Sequence, residues 1–227
     1  MKNILILFAI IFSINIYSQQ GKIFIETNYN TFSHSSLSDF QQEFKNDLAP
    51  IPIKTVDDFP ANIGFTIGYE IIDSSAAFFL SYNSTGGKLS YSDYSGIVKI
   101  EESLSAITFG AIYFLNLSEK KDFRIGFRGF SMFSRFNLNS FSEISNNIQQ
   151  DNFDFQSTDF GLGAQLNYEY PLSFLILKAN IGFDITFGGK LIFDDNNEAY
   201  LTNNSNNKVT TGWSGLRSGI GIAIPIN

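Results

Sequence analysis

Hydrophobic and polar side chains alternate at every second position in about eight segments that follow residue 18. In one of them, Phe65, Ile67 and Tyr69 share a face, whereas Gly64 and Gly68 lie on the other. A period of two indicates a β-strand, because successive side chains of a strand point to opposite faces of the sheet. The pattern therefore predicts an all-β protein. The predicted strands are 22–32, 61–71, 76–85, 104–115, 123–136, 158–170, 174–187 and 213–226.

The connections between these strands alternate in length. The short ones are 72–75, 118–122 and 171–173, and the long polar ones are 33–60, 86–103, 137–157 and 188–212. An even number of strands with short turns at one end and long loops at the other is typical of outer-membrane barrels, whose short turns are periplasmic. We therefore predict an eight-stranded antiparallel up-and-down transmembrane β-barrel with short periplasmic turns and long extracellular loops.

The glycine content of one face decides which face points outward. In a soluble, lipocalin-like barrel the bulky apolar face would surround one small ligand, and the glycine-rich face would cover the outside. Glycine weakens a strand and has no use on an open surface, but it suits a narrow lumen. We therefore expect the apolar face to meet lipid, with aromatic girdles at both rims. The predicted girdle residues are Tyr69, Tyr113, Tyr168 and Tyr170 at one rim and Tyr29, Tyr82, Phe187 and Trp213 near the other.

Residues 1–18 have the pattern of a secretory signal peptide. Lys2 precedes the apolar run 4–16, and Ser18 supplies a small residue at a plausible cleavage point. A retained membrane helix is the weaker alternative, because the run is shorter than the roughly 20 residues that a span needs. Residues 19–227 then form one barrel domain. The chain has 0 cysteines, so a lipidated cysteine, a disulfide framework and a thiolate metal site are excluded.

Charged residues on the glycine-rich faces are predicted to lie inside the barrel. They are Glu26, Glu70, Glu169 and Asp184 together with Arg124, Arg128, Lys178 and Arg217. These acids and bases balance, as expected of a filled core in which a buried ion is costly unless it is paired. Strand order predicts two pairs on neighbouring strands, Arg124 with Glu169 and Asp184 with Arg217. A structural charge network is the favoured interpretation, and a path for ions or solutes is the alternative.

The signal peptide, the eight strands, the glycine-lined interior and the charged core together resemble the small outer-membrane β-barrel proteins of the OmpA-barrel and OmpX type, often labelled porin family. The resemblance covers residues 20–227 and is one of pattern rather than of a specific motif. It implies an integral outer-membrane protein of a Gram-negative cell envelope, in contact with outer-membrane lipid and lipopolysaccharide. The envelope-structural or surface-interaction role that it implies would use the extracellular loops. One departure is the stretch 222–227, which lacks the outward terminal aromatic usual in such barrels.

Other functions find less support in the residues. The formal net charge of -7 and the absence of a basic patch argue against nucleic-acid binding, and no pattern indicates a cofactor. The only histidine, His34, lies beside Ser35 and Ser36, and with Asp39 or Asp93 it could serve acyl transfer on outer-surface lipid. A polar loop is the simpler interpretation, and we expect no enzyme activity. The remaining alternatives are a small-solute porin and a lipid-modifying transferase or hydrolase that uses His34.

Two loop segments have features of their own. The oxygen-rich run 194–198 could hold a calcium ion, but it lacks the spacing of an EF-hand and a solvated loop is favoured. The stretch 88–103 could turn a hairpin at 91–96 and carry the third and fourth strands beyond the membrane. Such a hairpin would expose an edge for pairing with a strand of a surface protein partner.

Overall fold

A computed structural model describes residues 20–48, 51–120, 122–145 and 147–226. The predicted signal peptide and its boundary at residue 18 lie outside the described residues. The described chain forms ten strands and one helix. Their bounds are β1 Gly21–Ser33, α1 Ser35–Asp47, β2 Lys54–Asp58, β3 Asn62–Ile71, β4 Ala76–Asp93, β5 Gly96–Asn116, β6 Phe123–Ile144, β7 Asn147–Pro171, β8 Ile176–Gly188, β9 Ile192–Phe193 and β10 Ser214–Ile226.

Eight of the strands close into a ring in which every neighbouring pair is antiparallel. The order around the ring is β4, β3, β1, β10, β8, β7, β6 and β5, and β5 pairs again with β4. The first and last strands, β1 and β10, lie side by side, with Gly21 opposite Ile226. Each of the eight predicted strands corresponds to one member of the ring, so the predicted fold is confirmed. Closure pairs the backbone groups of every strand within the barrel wall, as a hydrocarbon environment requires.

The outward face of the ring is apolar, as predicted. Phe65, Ile181 and Ile220 are 57%, 56% and 71% exposed, whereas the inward Thr66 and Asn180 are buried. A closed barrel that exposes a continuous apolar wall and buries its polar side chains is arranged in the opposite way to a soluble protein, which buries its apolar side chains. The chain is therefore a transmembrane β-barrel, the architecture of outer-membrane proteins.

Two of the predicted girdle residues behave differently from the other six, which are exposed. Trp213 is 0% exposed and its indole Nε1 donates a hydrogen bond to Ser134 Oγ at 2.9 Å. The girdle prediction for Trp213 is wrong because Trp213 has the inward parity of Arg217 and Ala223 on β10, whereas the lipid-facing residues Leu216 and Ile220 have the opposite parity. Tyr69 is half-buried because its ring lies across Gly21 of the neighbouring strand β1, where a Cβ would come within 2.1 Å of the phenol oxygen.

Two hairpins extend far beyond the lipid-facing wall. β4 and β5 continue to Asp93 and Gly96, which confirms the predicted hairpin. Asp93 Oδ1 closes the turn by accepting hydrogen bonds from the backbone N–H groups of Ser95 at 2.7 Å and Gly96 at 3.2 Å. β6 and β7 also form a long hairpin, to Ile144 and Asn147. The prediction of a polar loop over 137–157 is therefore wrong.

The segments at the outer end are ordered into a cap. α1 buries Leu37, Phe40 and Gln41, which recur at the spacing of one helix face. β2 pairs with β4 through Lys54 and Ser90, so it covers the edge of β4 that we predicted to be free. β9 pairs with β7. Long polar loops were expected over 33–60 and 188–212, and both contain these packed elements instead.

No helix among the described residues is long and apolar enough to cross a membrane.

Candidate functional site

The lumen is lined by charged side chains in three layers, beginning at the end of the barrel where Gly21 lies opposite Ile226. The lowest layer joins Lys22, Glu70, Arg124 and Glu169. Arg124 Nη1 and Nη2 donate hydrogen bonds to Glu70 at 2.6 and 3.1 Å, and Nη2 also contacts Glu169. Lys22 Nζ lies 3.2 Å from Glu70 Oε1 and 2.7 Å from Glu169 Oε2. The structure thus brings together the predicted pair Arg124 and Glu169, and it adds Lys22 and Glu70.

The middle layer is a single ion pair with polar and aromatic support. Lys178 Nζ lies 3.0 Å from Glu26 Oε1 and 3.7 Å from the centre of the Phe24 ring. Asn180 Nδ2 donates a hydrogen bond to Glu26 Oε2 at 3.1 Å. The carboxylate and the ammonium group therefore each have a second favourable partner, as a buried pair requires.

The upper layer gathers two arginines on one carboxylate. Asp184 Oδ2 lies 2.9 Å from Arg128 Nη1 and 3.5 Å from Arg217 Nε, which brings together the predicted pair Asp184 and Arg217. Arg217 also donates hydrogen bonds to the side-chain oxygens of Asn28 and Gln165. These bonds tie β10 to β8, β1 and β7, and the bond from Arg128 adds β6.

Glycine makes room for this upper layer. A Cβ at Gly163 would lie 2.1 Å from Asp184 Oδ1, so an alanine there would displace the carboxylate. The inward position of Gly163 agrees with the expectation that glycine serves a narrow lumen.

All eight predicted lumen residues are between 2% and 6% exposed and have an oppositely charged partner within 3.5 Å. Two further charged side chains with inward parity were not predicted, namely Lys22 in the lowest layer and Asp159 on β7, which is 2% exposed. Lys22 shares the inward parity of Phe24 and Glu26 on β1, which was the signal that could have found it.

Aromatic rings fill the space between the layers. The Cζ of Arg124 lies 4.2 Å from the centre of the Phe114 ring, and that of Arg128 lies 4.4 Å from the centre of the Phe79 ring. Both rings are buried, at 1% and 2% exposure. Such cation–π contacts stabilise a guanidinium that has left water. The expectation of a lumen lined by glycine and polar side chains missed these inward phenylalanines.

The upper layer borders a cavity of about 10 Å³. Thr108 Oγ1, Arg128 Nε and Arg217 Nε are buried polar atoms without a hydrogen-bond partner, and their three residues line this cavity. Its volume corresponds to about one water molecule. Arg124 and Glu70 belong to strands three places apart in the ring of eight, so their hydrogen bonds cross the lumen. The interior is therefore a packed, cross-linked core at these levels.

The predicted set around His34 is not assembled. His34 is 4% exposed, its Nδ1 donates a hydrogen bond to the Thr211 carbonyl at 2.6 Å, and its ring lies 4.8 Å from the Trp213 ring. Burial lowers the pKa of His34, against the opposing effect of the Thr211 hydrogen bond. Asp39 is exposed on α1 and Asp93 bonds within its own hairpin turn. The neutral ring thus packs as part of the cap, without an acid to orient it.

A buried carboxyl group that the sequence analysis missed holds α1 against the barrel. Glu102 is 2% exposed, and its Oε2 accepts a hydrogen bond from Gln41 Nε2 at 2.7 Å. Gln41 also donates to the Asp57 carbonyl at 3.1 Å. Burial raises the pKa of Glu102 to about 7, Gln41 opposes this shift, and the nearby Asp58 adds to it. The inward parity of Glu102 with Leu104 on β5 was its only signal in the sequence.

The run 194–198 is an exposed turn, in which Asn196 Oδ1 accepts a hydrogen bond from the Glu198 backbone N–H at 3.1 Å. Across the described ranges, no three His, Cys, Asp or Glu side chains gather to hold a metal ion.

Several solved structures are similar to this chain in fold. Neisserial surface protein A is 14% identical, with 91% of this chain and 99% of that chain covered and a TM-score of 0.40. A major outer membrane protein from Thermus thermophilus is 12% identical, with 91% and 99% covered and a TM-score of 0.49. The attachment invasion locus protein of Yersinia pestis is 11% identical, with 92% and 99% covered and a TM-score of 0.39. No protein-family model and no curated protein matches the chain.

Proposed function

We propose that this chain is a non-enzymatic integral outer-membrane protein with a sealed lumen, which acts through its external surface in envelope structure or surface interaction. The observation that carries the proposal is the set of hydrogen bonds by which Arg124 crosses the lumen to Glu70 while also contacting Glu169. An eight-stranded barrel has room for little besides its own side chains. A small-solute porin would need this network to open.

The part of the chain beyond the membrane supports an external role. β4, β5, β6 and β7 rise together as one sheet, flanked by β2 and capped by α1. Over 147–153 of β7, no described strand pairs with the edge away from β6, and these residues are exposed. Unpaired strand edges are sites for β-strand addition by a partner protein. Lipid around the apolar wall and a surface protein at this edge are the partners that we propose.

Conductance in a planar bilayer tests the sealed lumen. The wild-type barrel, refolded and showing heat-modifiable migration on gels, is expected to give no stable channel. A variant with Arg124→Ala and Arg128→Ala, which removes the lumen-crossing guanidinium of the lower layer and one of the upper layer, serves as the opened control. Large, reproducible channels in the wild type would contradict the proposal.

The His34 alternative has a separate test. Lipid A is isolated from cells that express the wild type or a His34→Ala variant and is compared by mass spectrometry. We expect identical lipid A from both and from cells without the protein. A modification that depends on the wild type and is lost with His34→Ala would instead establish a lipid-modifying enzyme.

A further inference from the structure

Three basic side chains on the outward surface of the cap lack ion partners. Arg135, Lys190 and Lys208 are exposed, and none of them forms a salt bridge with another described residue. Lys88 differs, because its Nζ lies 2.7 Å from Glu101 Oε1. Lys54 and Lys99 are also exposed without an ion pair, on β2 and β5 near the tip of the β4–β5 hairpin. Arg135 and Lys190 differ from them because they lie just above the lipid-facing wall. We call Arg135, Lys190, Lys208, Gln156 and Tyr200 the basic face.

Strand pairing places the members of the basic face next to one another. Arg135 on β6 lies opposite Gln156 on β7, and Gln156 lies opposite Ile192 on β9. Isolated bridges continue the sheet, joining Ile192 with Tyr200, Lys190 with Thr210 and Thr202 with Lys208. The side chains between them point the other way, into the apolar core, and are Leu191, Leu201 and Val209. The cations therefore share the outward surface. Lys208 Nζ is also 3.2 Å from the centre of the Tyr200 ring.

The basic face begins directly above the lipid-facing wall. Arg135 follows the exposed Phe133 by two residues, and Lys190 follows the exposed Phe187 by three. At a strand rise of about 3.3 Å per residue, the first step is about 7 Å. This is the depth at which lipid headgroups meet a membrane protein, so the cations lie at the interface on the side of the long loops.

A groove opens on this face. Its volume is about 460 Å³, and its lining includes Gln156, Thr158, Lys190 and Tyr200. Volumes of this order are typical of sites for small ligands. The lysine, the amide and the hydroxyl group are hydrogen-bond donors, which suits an anionic, oxygen-rich ligand. Three exposed acids flank the face, since Asp154, Asp194 and Glu198 lie two residues from Gln156, Ile192 and Tyr200, respectively. Asp154 accepts a hydrogen bond from Asn137 at 2.8 Å.

We propose that the basic face binds the phosphate groups of a phosphorylated glycolipid in the outer leaflet, the class to which lipopolysaccharide belongs. This inference rests on the proposed outer-membrane location. Basic side chains at the membrane surface attract anionic headgroups, with a contribution from each that fades within a Debye length. The acyl chains of such a lipid would lie along the apolar wall below, and its phosphates would meet the three cations.

The test compares charge-matched variants for binding of defined lipids. The first carries Arg135→Gln, Lys190→Gln and Lys208→Gln, and the control Lys54→Gln, Lys99→Gln and Lys120→Gln removes the same charge elsewhere on the exposed surface. Native mass spectrometry measures binding of bis-phosphorylated lipid A, dephosphorylated lipid A, phosphatidylglycerol and inorganic phosphate to the detergent-purified full chain. We expect the first variant to lose about tenfold or more in affinity for bis-phosphorylated lipid A, and the control to bind as the wild type does.

A third variant, with Arg135→Lys, Lys190→Arg and Lys208→Arg, keeps the charge and is expected to keep the binding. The inference is overturned if the first variant binds bis-phosphorylated lipid A as the wild type does, or if the control loses as much. It is equally overturned if dephosphorylated lipid A, phosphatidylglycerol or inorganic phosphate binds as tightly.

The outcomes separate this inference from the proposed function. Heat-modifiable migration of each variant verifies that it folds and inserts. If the protein folds and does not conduct but fails the lipid comparison, the inference that the basic face binds phosphorylated glycolipid is wrong, whereas the sealed lumen is not affected. A conducting wild type whose lipid binding depends on the three cations overturns the sealed lumen alone.

Discussion

At the scale of single residues, the ion pairs of Arg124 stabilise the lowest layer of the lumen. Arg124 contacts Glu70 and Glu169 through the planar fork of its guanidinium. Lys22 also contacts both carboxylates, from the partly exposed end of the layer. Removing one partner of a buried ion network leaves a charge without compensation, which costs more free energy than the intact pair contributes.

Replacing Arg124 by alanine is expected to lower the free energy of unfolding by about 3–5 kcal/mol. Urea unfolding followed by gel migration of the refolded barrel measures the change. Arg135→Ala removes an exposed arginine from the same strand, and we expect it to stay within about 0.5 kcal/mol of the wild type. Equal losses in both variants would contradict a stabilising network in the lumen.

Glu102 gives the cap a pH dependence. Its pKa of about 7 exceeds the ordinary value of 4.5 because burial disfavours the charged carboxylate. The folded chain therefore holds a proton that the unfolded chain releases between these two values. The contribution of Glu102 to the free energy of unfolding should fall as pH rises through this window, by up to about 3 kcal/mol.

A Glu102→Gln variant should lose this decline and be more stable than the wild type above pH 7. Urea unfolding at a series of pH values provides the measurement. The control Glu101→Gln removes the exposed partner of Lys88 instead. Because the Lys88 hydrogen bond lowers the pKa of Glu101, this variant should change the pH dependence of the free energy of unfolding only below the Glu102 window. A Glu102→Gln variant that retains the wild-type slope would rule out Glu102 as the source.

Parity along a strand predicted the lumen residues but not the residues of the cap. Glu26, Glu70 and their six counterparts have the inward parity of their strands, so alternation was sufficient to place them. The contacts of His34 arise where the chain folds back over the barrel mouth, and no local period encodes that path. Trp213 does have the inward parity of Arg217 on β10, so alternation could have placed it inside.

At the scale of elements, regular strands were predictable wherever one face is apolar. β6 and β7 continue to Ile144 and Asn147, but over 147–154 every residue of β7 is exposed. A strand with two solvated faces has no hydrophobic period, so its sequence resembles a loop. α1 did carry a signal, since Leu37, Phe40 and Phe44 follow helical spacing inside a segment interpreted as a loop.

The tip of the β6–β7 hairpin should be dispensable for folding. Asn139 and Asn152 lie opposite each other, so a variant in which Asn-Gly replaces 140–151 retains a two-residue turn of a type that hairpins favour. We expect normal heat-modifiable migration and a free energy of unfolding within about 1 kcal/mol of the wild type, because the deleted side chains contribute little to the core. Failure of this variant to insert would show that the hairpin belongs to the cooperative unit.

The whole molecule has two interiors of different character. Within the membrane the core combines ion pairs with the buried rings of Phe24, Phe79 and Phe114, whereas the core at the outer end is mainly apolar and includes Leu37, Leu104, Phe136, Leu191 and Trp213. The apolar core forms where water surrounds the barrel, because burial of apolar surface is favourable only against water. In the membrane, lipid already surrounds the apolar side chains.

The orientation of the whole molecule can be tested on a chain that has 0 cysteines. Ser92→Cys, on the β4–β5 hairpin, should react with a membrane-impermeant maleimide in intact cells. Glu119→Cys, in the short turn between β5 and β6, should react only after the outer membrane is permeabilised. Labelling of both sites in intact cells, or the reverse order, would contradict an outward cap and periplasmic turns.

The sequence by itself determined the number of barrel strands, the lipid-facing side and the charged lumen, because the alternation of side chains is a local property that can be read directly along the chain. Only the tertiary structure decided how Lys22 joins Glu70 and Glu169, how α1 and Trp213 close the outer end, and how Arg135, Lys190 and Lys208 come to share one surface. These groupings depend on strand register and on the path of the loops. The residues that meet there are far apart in the chain, and no periodic pattern in the sequence predicts their contact.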